Sequence, residues 1–309
     1  MTEPATREWR PAWPCPVGQV WAHWRRGAGD PTYRVDALGR HWRGLRTPVG
    51  PATLCVAPLD AGGMILADAW GPGADWALDR LPELLGSLDD PTGFTPVHPV
   101  VAEAWRTHPH WRLGRGGLVM EALVPAIIEQ KVTGHEASAG FRRLVRFHGE
   151  RAPGPGPALD LWVQPDARTL RLIPSWAWLQ LHIDPARSRA LVRAAQLADA
   201  LERTLLVDPA EADRRLRSIA GVGVWTSAEV RFRAHGDADA VSFGDYHIAK
   251  EVGWAILGRE LDDAGLAELL EPYRPHRHRV QALVGFAGAR RPRRGPRMAP
   301  RTHLPGSAR

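Results

Sequence analysis

The sequence predicts an α+β N-terminal domain over residues 1–96, an all-α domain over residues 97–289, and a basic tail at 290–309. Three observations lead there. A length of 309 residues suits about two domains. Between residues 31 and 70, short segments of strand-like composition alternate with turn residues. After residue 100 no long strand pattern occurs, and helical periodicities follow one another instead.

The first thirty residues are rich in Trp, Pro and Gly and read as an irregular arm that can start a strand. Then come TYRVDAL, RHWRGLRTP, ATLCVAPL and MILADAW, separated by Gly39, Pro48-Val49-Gly50 and Gly62-Gly63. Turn residues at such intervals predict antiparallel strands with hairpin connections. A helix is expected over 76–88, and Thr95-Pro96-Val97-His98-Pro99 marks a boundary. Helices are then expected over 100–107, 118–148, 158–163, 165–178 and 185–206, with a new start or a kink at Pro125. The APGPGPA run at 152–158 is a loop. Residues 208–220 form a helix with Asp208 as N-cap and Pro209 in its first turn. Further helices are expected over 224–234, from Asp245 to about 257, over 264–270 and over 275–286. From Arg290 the sequence is basic, of low complexity, and expected to be disordered.

The formal net charge of +6 is unevenly placed. From Arg274 onward there are ten Arg and no Asp or Glu, so the rest of the chain is net acidic. A basic end suits a nucleic-acid partner or a solvated tail with no partner. Cys15 and Cys55 are the only cysteines, with no CxxC and no zinc spacing. Four thiolates for an iron–sulfur cluster do not exist. There is no apolar h-region and no run of about 18 apolar residues. The expectation is a cytoplasmic protein with no cofactor and no membrane partner.

The chemistry centres on residues 216–250. Gly221-Val222-Gly223 joins two helices, allows a sharp reversal and removes side chains where another backbone must approach. The following helix begins with free N–H groups, a ready anion site for which a DNA phosphate is one candidate. Thr226 suits a cap or a phosphate contact. The plain alternative is an ordinary helical hairpin. Asp245 lies twenty residues beyond Trp225, within Gly-Asp-Tyr-His-Ile. By itself it reads as a helix N-cap.

Taken together, Leu216, Ile219, Gly221, Val222, Gly223, Trp225, Thr226 and the later Asp245 resemble the helix-hairpin-helix DNA glycosylase superfamily. Within it the likeness is to the inducible bacterial 3-methyladenine DNA glycosylases, over roughly residues 99–286. The resemblance implies an α+β domain before a helix-hairpin-helix glycosylase domain, and double-stranded DNA containing a damaged base as the partner. It implies a monomer that works in the bacterial cytoplasm, at the nucleoid.

It also assigns roles. Asp245 would be catalytic, lying beside a flipped nucleotide. Breaking an N-glycosidic bond builds positive charge on the deoxyribose, which a fixed carboxylate stabilises. Trp225 stands where lyase-competent members carry the Schiff-base Lys, so base release without strand cleavage is implied. Its indole would stack on an electron-poor base, unless it is a core Trp. AIIEQKVTG at 126–134 resembles the helix and loop that enter the minor groove. There Gln130 would contact bases, and Lys131 replaces an apolar wedge and would touch phosphate or plug the gap with its methylenes. A solvent-facing Gln-Lys pair is the alternative. Glu229 stands where the relatives have an aromatic residue, suiting a positively charged base or a different substrate set. Trp176 and Trp178 suit a pocket lining or the core. No side chain is expected to hold a metal, but carbonyls of Arg217, Ile219 and Val222 would hold a monovalent cation near the phosphate. The function expected is excision of alkylated purines. The alternatives are a glycosylase for oxidised or mismatched bases and a non-catalytic DNA-binding protein.

Overall fold

The computed structural model describes residues 3–58, 60–288 and 291. The N-terminal part runs β1 (Ala5–Trp9), α1 (Val17–Trp21), β2 (Tyr33–Val35), β3 (His41–Thr47), β4 (Gly50–Val56), β5 (Ile65–Trp70), α2 (Ala74–Asp79) and α3 (Leu81–Leu84). The five strands form one antiparallel sheet in the order β1-β5-β4-β3-β2. The arm expected at the N-terminus thus supplies an edge strand and a short helix. Alternation explains the sheet's two faces. Leu45, Leu54, Val56, Ile65, Ala67 and Ala69 enter the main core, whereas Trp42, Cys55 and Trp70 point the other way. Both cysteines are buried and free, and burial pushes their thiols up to about 12.

The helical part comprises α4 (Pro99–Thr107), α5 (Val119–Ile128), α6 (Gly134–His148), α7 (Ala167–Leu172), α8 (Ser175–Gln180), α9 (Pro185–Gln196), α10 (Ala198–Glu202), α11 (Pro209–Arg217), α12 (Val224–Val230), α13 (Ile248–Leu257), α14 (Asp263–Leu270) and α15 (Arg277–Ala287). The helix expected over 118–148 is two. α5 runs through Pro125, and the new start lies at Thr133, where Thr133 and Glu136 form a reciprocal capping box. Here proline does divide the helix expected over 165–178, with Pro174 preceding α8.

The all-α expectation needs one correction. Residues 158–163 are not helical: Trp162–Val163 (β7) pairs with Glu150–Arg151 (β6) in a two-stranded antiparallel ladder. This ladder covers the second face of the sheet. Ala152, Leu161 and Val163 pack with Trp42 and Trp70, whose rings stack at 5.8 Å. Gly44 permits the approach, since a Cβ there would lie 2.1 Å from the Trp162 carbonyl oxygen.

One hydrophobic core runs from the sheet through α5, which is buried along most of its length, to α9 and α12. A second joins α4, α13, α14 and α15 around Val101, Val252, Leu270 and Leu283. Arg279, fully buried, ties α15 to the loop before α4 through a 2.6 Å ion pair with Asp89, with the Phe94, Trp105 and Trp111 rings around it. No helix among the described residues is long and apolar enough to cross a membrane. The tail expected at 290–309 lies outside the described residues except for Arg291, which pairs with Glu260 at 2.6 Å.

Candidate active site at the glycine hairpin

α11 and α12 are the two helices of the hairpin. Asp208 caps α11 by accepting the Glu211 N–H, as expected from sequence. The two glycines between the helices do different work. Gly221 has φ +101°, and a Cβ there would meet the Ala190 side chain at 2.8 Å, so it serves the turn and its packing on α9. Gly223 has φ −96°, and nothing stands within 4 Å of where its Cβ would be. Val222 is buried and its N–H closes the turn on the Ile219 carbonyl at 2.9 Å. That bond occupies one lone pair of a carbonyl assigned to a cation, leaving the other. Asp213 ties the two helices together by accepting from Ser227 Oγ at 2.7 Å.

Asp245 faces this hairpin. Its Oδ1 accepts the backbone N–H groups of His247 (2.7 Å) and Ile248 (3.0 Å), the N-cap and the first residue of α13. Its Oδ2 accepts from Trp225 Nε1 at 3.0 Å. The helix therefore opens at Ile248 rather than at Asp245, and the carboxylate caps it. Gly244, at φ +86°, makes the turn before Asp245 and donates its N–H to Asp263 Oδ2 at 2.8 Å. Asp245 and Trp225 are both half-buried, while Tyr246 and His247 beside them are exposed. The Lys250 ammonium lies 3.8 Å from the Tyr246 ring centroid.

The loop between α5 and α6 closes a third side. Gln130 Nε2 donates to the Gly221 carbonyl and to Thr226 Oγ1, both at 2.8 Å. Lys131 is exposed and has φ +53°, a left-handed backbone uncommon outside glycine and concentrated at functional positions. Behind the loop, Glu129 pairs with Arg26 at 3.0 Å.

Several expected site residues lie elsewhere. Glu229 is turned into the interior, 8 % exposed, where Arg233 Nη1 (2.6 Å) and Ser242 Oγ (2.7 Å) donate to its two oxygens. Burial raises its carboxyl, but Arg233 and Ser242 outweigh burial and hold it below the ordinary range. Glu229 is thus a packed ion pair and not a pocket wall. Trp178 is 2 % exposed and belongs to the main core, whereas Trp176 on the same short helix is 65 % exposed. Thr226, 2 % exposed, neither caps α12 nor faces outward; its hydroxyl receives Gln130. Arg233 belongs to the π-helical turn Arg231–His235, which packs Phe232 on His278, ring centroids 4.1 Å apart, and burial holds His278 down at about 4.

Ser242, Asp213 and Asp263 left no mark in the sequence, and Arg233 left only a faint one. Each works through a partner distant in the chain or through burial. Only Arg233, four residues after Glu229, offered an i,i+4 signal. Among the described residues no three His, Cys, Asp or Glu side chains come together as a metal site.

No protein-family profile matches the chain, and no curated protein sequence does. Solved structures do. A 3-methyladenine DNA glycosylase from Archaeoglobus fulgidus superposes with a TM-score of 0.73 at 17 % identity, over 91 % of this chain and 98 % of that one. The Clostridium acetobutylicum 8-oxoguanine glycosylase/lyase, in complex with duplex DNA containing cytosine opposite 8-oxoguanine, gives 0.70 at 11 %, over 94 % and 98 %. The 3-methyladenine DNA glycosylase of Schizosaccharomyces pombe, in complex with abasic DNA, gives 0.51 at 16 %, over 63 % and 94 %. Over nine-tenths of its length, the chain has the fold of the helix-hairpin-helix DNA glycosylases.

Proposed function

We propose that the chain is a monofunctional DNA glycosylase that excises alkylated purines of the 3-methyladenine type from double-stranded DNA. One observation carries the reading. A half-buried carboxylate, Asp245, is fixed by three neutral donors opposite the glycine hairpin. A hairpin serving only to grip DNA has no use for a carboxylate held there, because it would repel phosphate.

N3- and N7-alkylated purines carry positive charge on the base, so the glycosidic bond is already weakened and the base departs without a dedicated acid. Asp245 stabilises the positive charge that develops on the sugar and orients the incoming water. The hairpin backbone, open at Gly223, approaches a phosphate. Lys131 is the exposed residue at the loop that would enter the minor groove, filling the place of the extruded base with its methylenes, while the neighbouring Gln130 amide is bonded to the hairpin. Carbonyls of Arg217, Ile219 and Val222 would hold a monovalent cation, which would supply positive charge to offset that of the phosphate. The enzyme works as a monomer, in the cytoplasm at the nucleoid, and the basic tail adds non-specific affinity for DNA.

Trp225 stands where a Schiff-base Lys would be required for strand cleavage. Of the chain's two lysines, Lys131 belongs to the α5–α6 loop and Lys250 lies over Tyr246. Borohydride should therefore trap no enzyme–DNA adduct. A second reading, excision of oxidised bases, is favoured by the comparable superposition, TM-score 0.70 against 0.73, on an 8-oxoguanine enzyme. The deciding experiment incubates purified protein with dimethyl-sulfate-treated DNA and identifies the freed bases by mass spectrometry. Release of 3-methyladenine or 7-methylguanine supports the first reading. Release of 8-oxoguanine alone, from defined duplexes, replaces it with the second.

A further inference from the structure

The geometry points to Trp225 as the residue that positions Asp245, holding its carboxylate in register with the hairpin rather than serving chiefly as a stacking surface for the base. This rests on the catalytic reading of Asp245 given above.

A carboxylate offers about four acceptor sites on its two oxygens. In Asp245 two backbone N–H groups occupy Oδ1, and both come from the helix that Asp245 itself caps. Those bonds set the rigid carboxylate relative to the start of α13 only. The third bond, from Trp225 Nε1, is received by Oδ2. It also comes from a different element. Trp225 is the second residue of α12, directly after the hairpin turn, and twenty residues separate it from Asp245. The direction of Oδ2 is thereby set relative to the hairpin.

The choice of donor matters electrostatically. An indole N–H fixes an oxygen without bringing a positive charge beside it. Arg233 shows the contrast on the same helical run, where a guanidinium meets Glu229 and the two charges offset each other in the interior. A carboxylate that must stabilise a cationic sugar is best held by dipoles, so that its charge remains available. Oδ2, with one bond received, keeps an acceptor site for the sugar or for water.

The test has a spectroscopic arm and a kinetic arm. In the first, full-length protein is labelled with 15N-tryptophan, and the Trp225 indole cross-peak is identified by its loss in Trp225→Phe. Asp245→Asn should move that cross-peak. If it stays in place, the bond does not exist and the proposal falls, whatever the substrate.

The kinetic arm is a double-mutant cycle read by single-turnover excision of the methylpurine that wild type releases. Trp225→Phe should slow excision roughly tenfold, the size expected for one hydrogen bond to a charged group. Its affinity for duplex DNA carrying a stable abasic-site analogue should stay within about twofold, as a residue acting only on the reacting carboxylate requires. In the Asp245→Asn background the same substitution should change nothing further. Benzothienylalanine at position 225, which keeps the indole shape but lacks the N–H, should behave like Trp225→Phe. Full activity with benzothienylalanine, or an undiminished Trp225→Phe effect in the Asp245→Asn background, would assign Trp225 to stacking and overturn the proposal. A wild-type protein that releases no alkylated base defeats the functional reading instead, while the spectroscopic arm still judges the bond.

Discussion

The hairpin helix α12 has an inner side and a rim, and each holds a carboxylate in its own way. On the inner side Glu229 meets a guanidinium and a hydroxyl and is sealed from water. At the rim Asp245 is half-buried and meets only neutral donors, two from backbone and one from an indole. The glycines divide likewise: Gly221 is pressed against Ala190, and Gly223 opens onto empty space. A charge compensated in the interior contributes to architecture, whereas a charge held by dipoles at a surface remains available to a ligand. Two carboxylates bonded around one helix are therefore held in opposite ways.

If that division is right, substitutions should separate cleanly into losses of stability and losses of rate. The largest effect is expected inside. Arg233→Met leaves Glu229 buried without its partner and should cost about 3–5 kcal/mol of stability. Chemical denaturation measures this, and a loss below about 1 kcal/mol would mean that water reaches the pair. At the rim, Asp245→Asn should lower single-turnover base release on the order of 10²–10³-fold. The melting temperature and the affinity for abasic-analogue DNA should hardly change. A rate within about threefold of wild type would remove Asp245 from the chemistry.

The glycines sharpen the comparison at smaller amplitude. Gly221→Ala forces a side chain onto a left-handed backbone and against Ala190, and should destabilise by about 1–3 kcal/mol. Gly223→Ala has an ordinary φ and free space, so it should fold like wild type and bind duplex DNA more weakly. Equal effects of the two on melting temperature would erase the distinction.

Acid adds a further contrast. Glu229 titrates below its ordinary value of 4.5 in the folded protein, so its ionisation favours folding above that pH. The contribution disappears as pH falls from about 4.5 toward the folded value. Below about pH 5, wild type should lose stability more steeply than Glu229→Gln, as read from denaturation midpoints. Parallel curves would show the carboxylate to be uncoupled from folding. The smallest effect belongs to the tail. Deleting residues 290–309 removes seven Arg, which should weaken non-specific DNA binding and flatten its salt dependence without altering single-turnover excision.

Much of this was legible in the chain. The strand segments between residues 31 and 70 announced themselves by turn residues, and Asp208-Pro209 announced the start of α11. Gly221-Val222-Gly223 set the reversal, and the family resemblance singled out Trp225 and Asp245, though not the bond between them. These are local features: caps, turns and periodicities act within a few residues, so composition alone encodes them.

What the sequence left open is where each side chain faces and what it meets. Glu229 and Trp178 looked like pocket residues and are interior. Thr226 looked like a phosphate contact and receives Gln130 from another helix. Residues 158–163 looked helical but are a turn leading into the short strand Trp162–Val163, because Trp42 and Trp70 need a cover that only a folded sheet creates. Burial and partner choice depend on segments tens of residues apart arriving at one place. In this protein it was packing that turned Glu229 inward to Arg233 and left Asp245 at the rim.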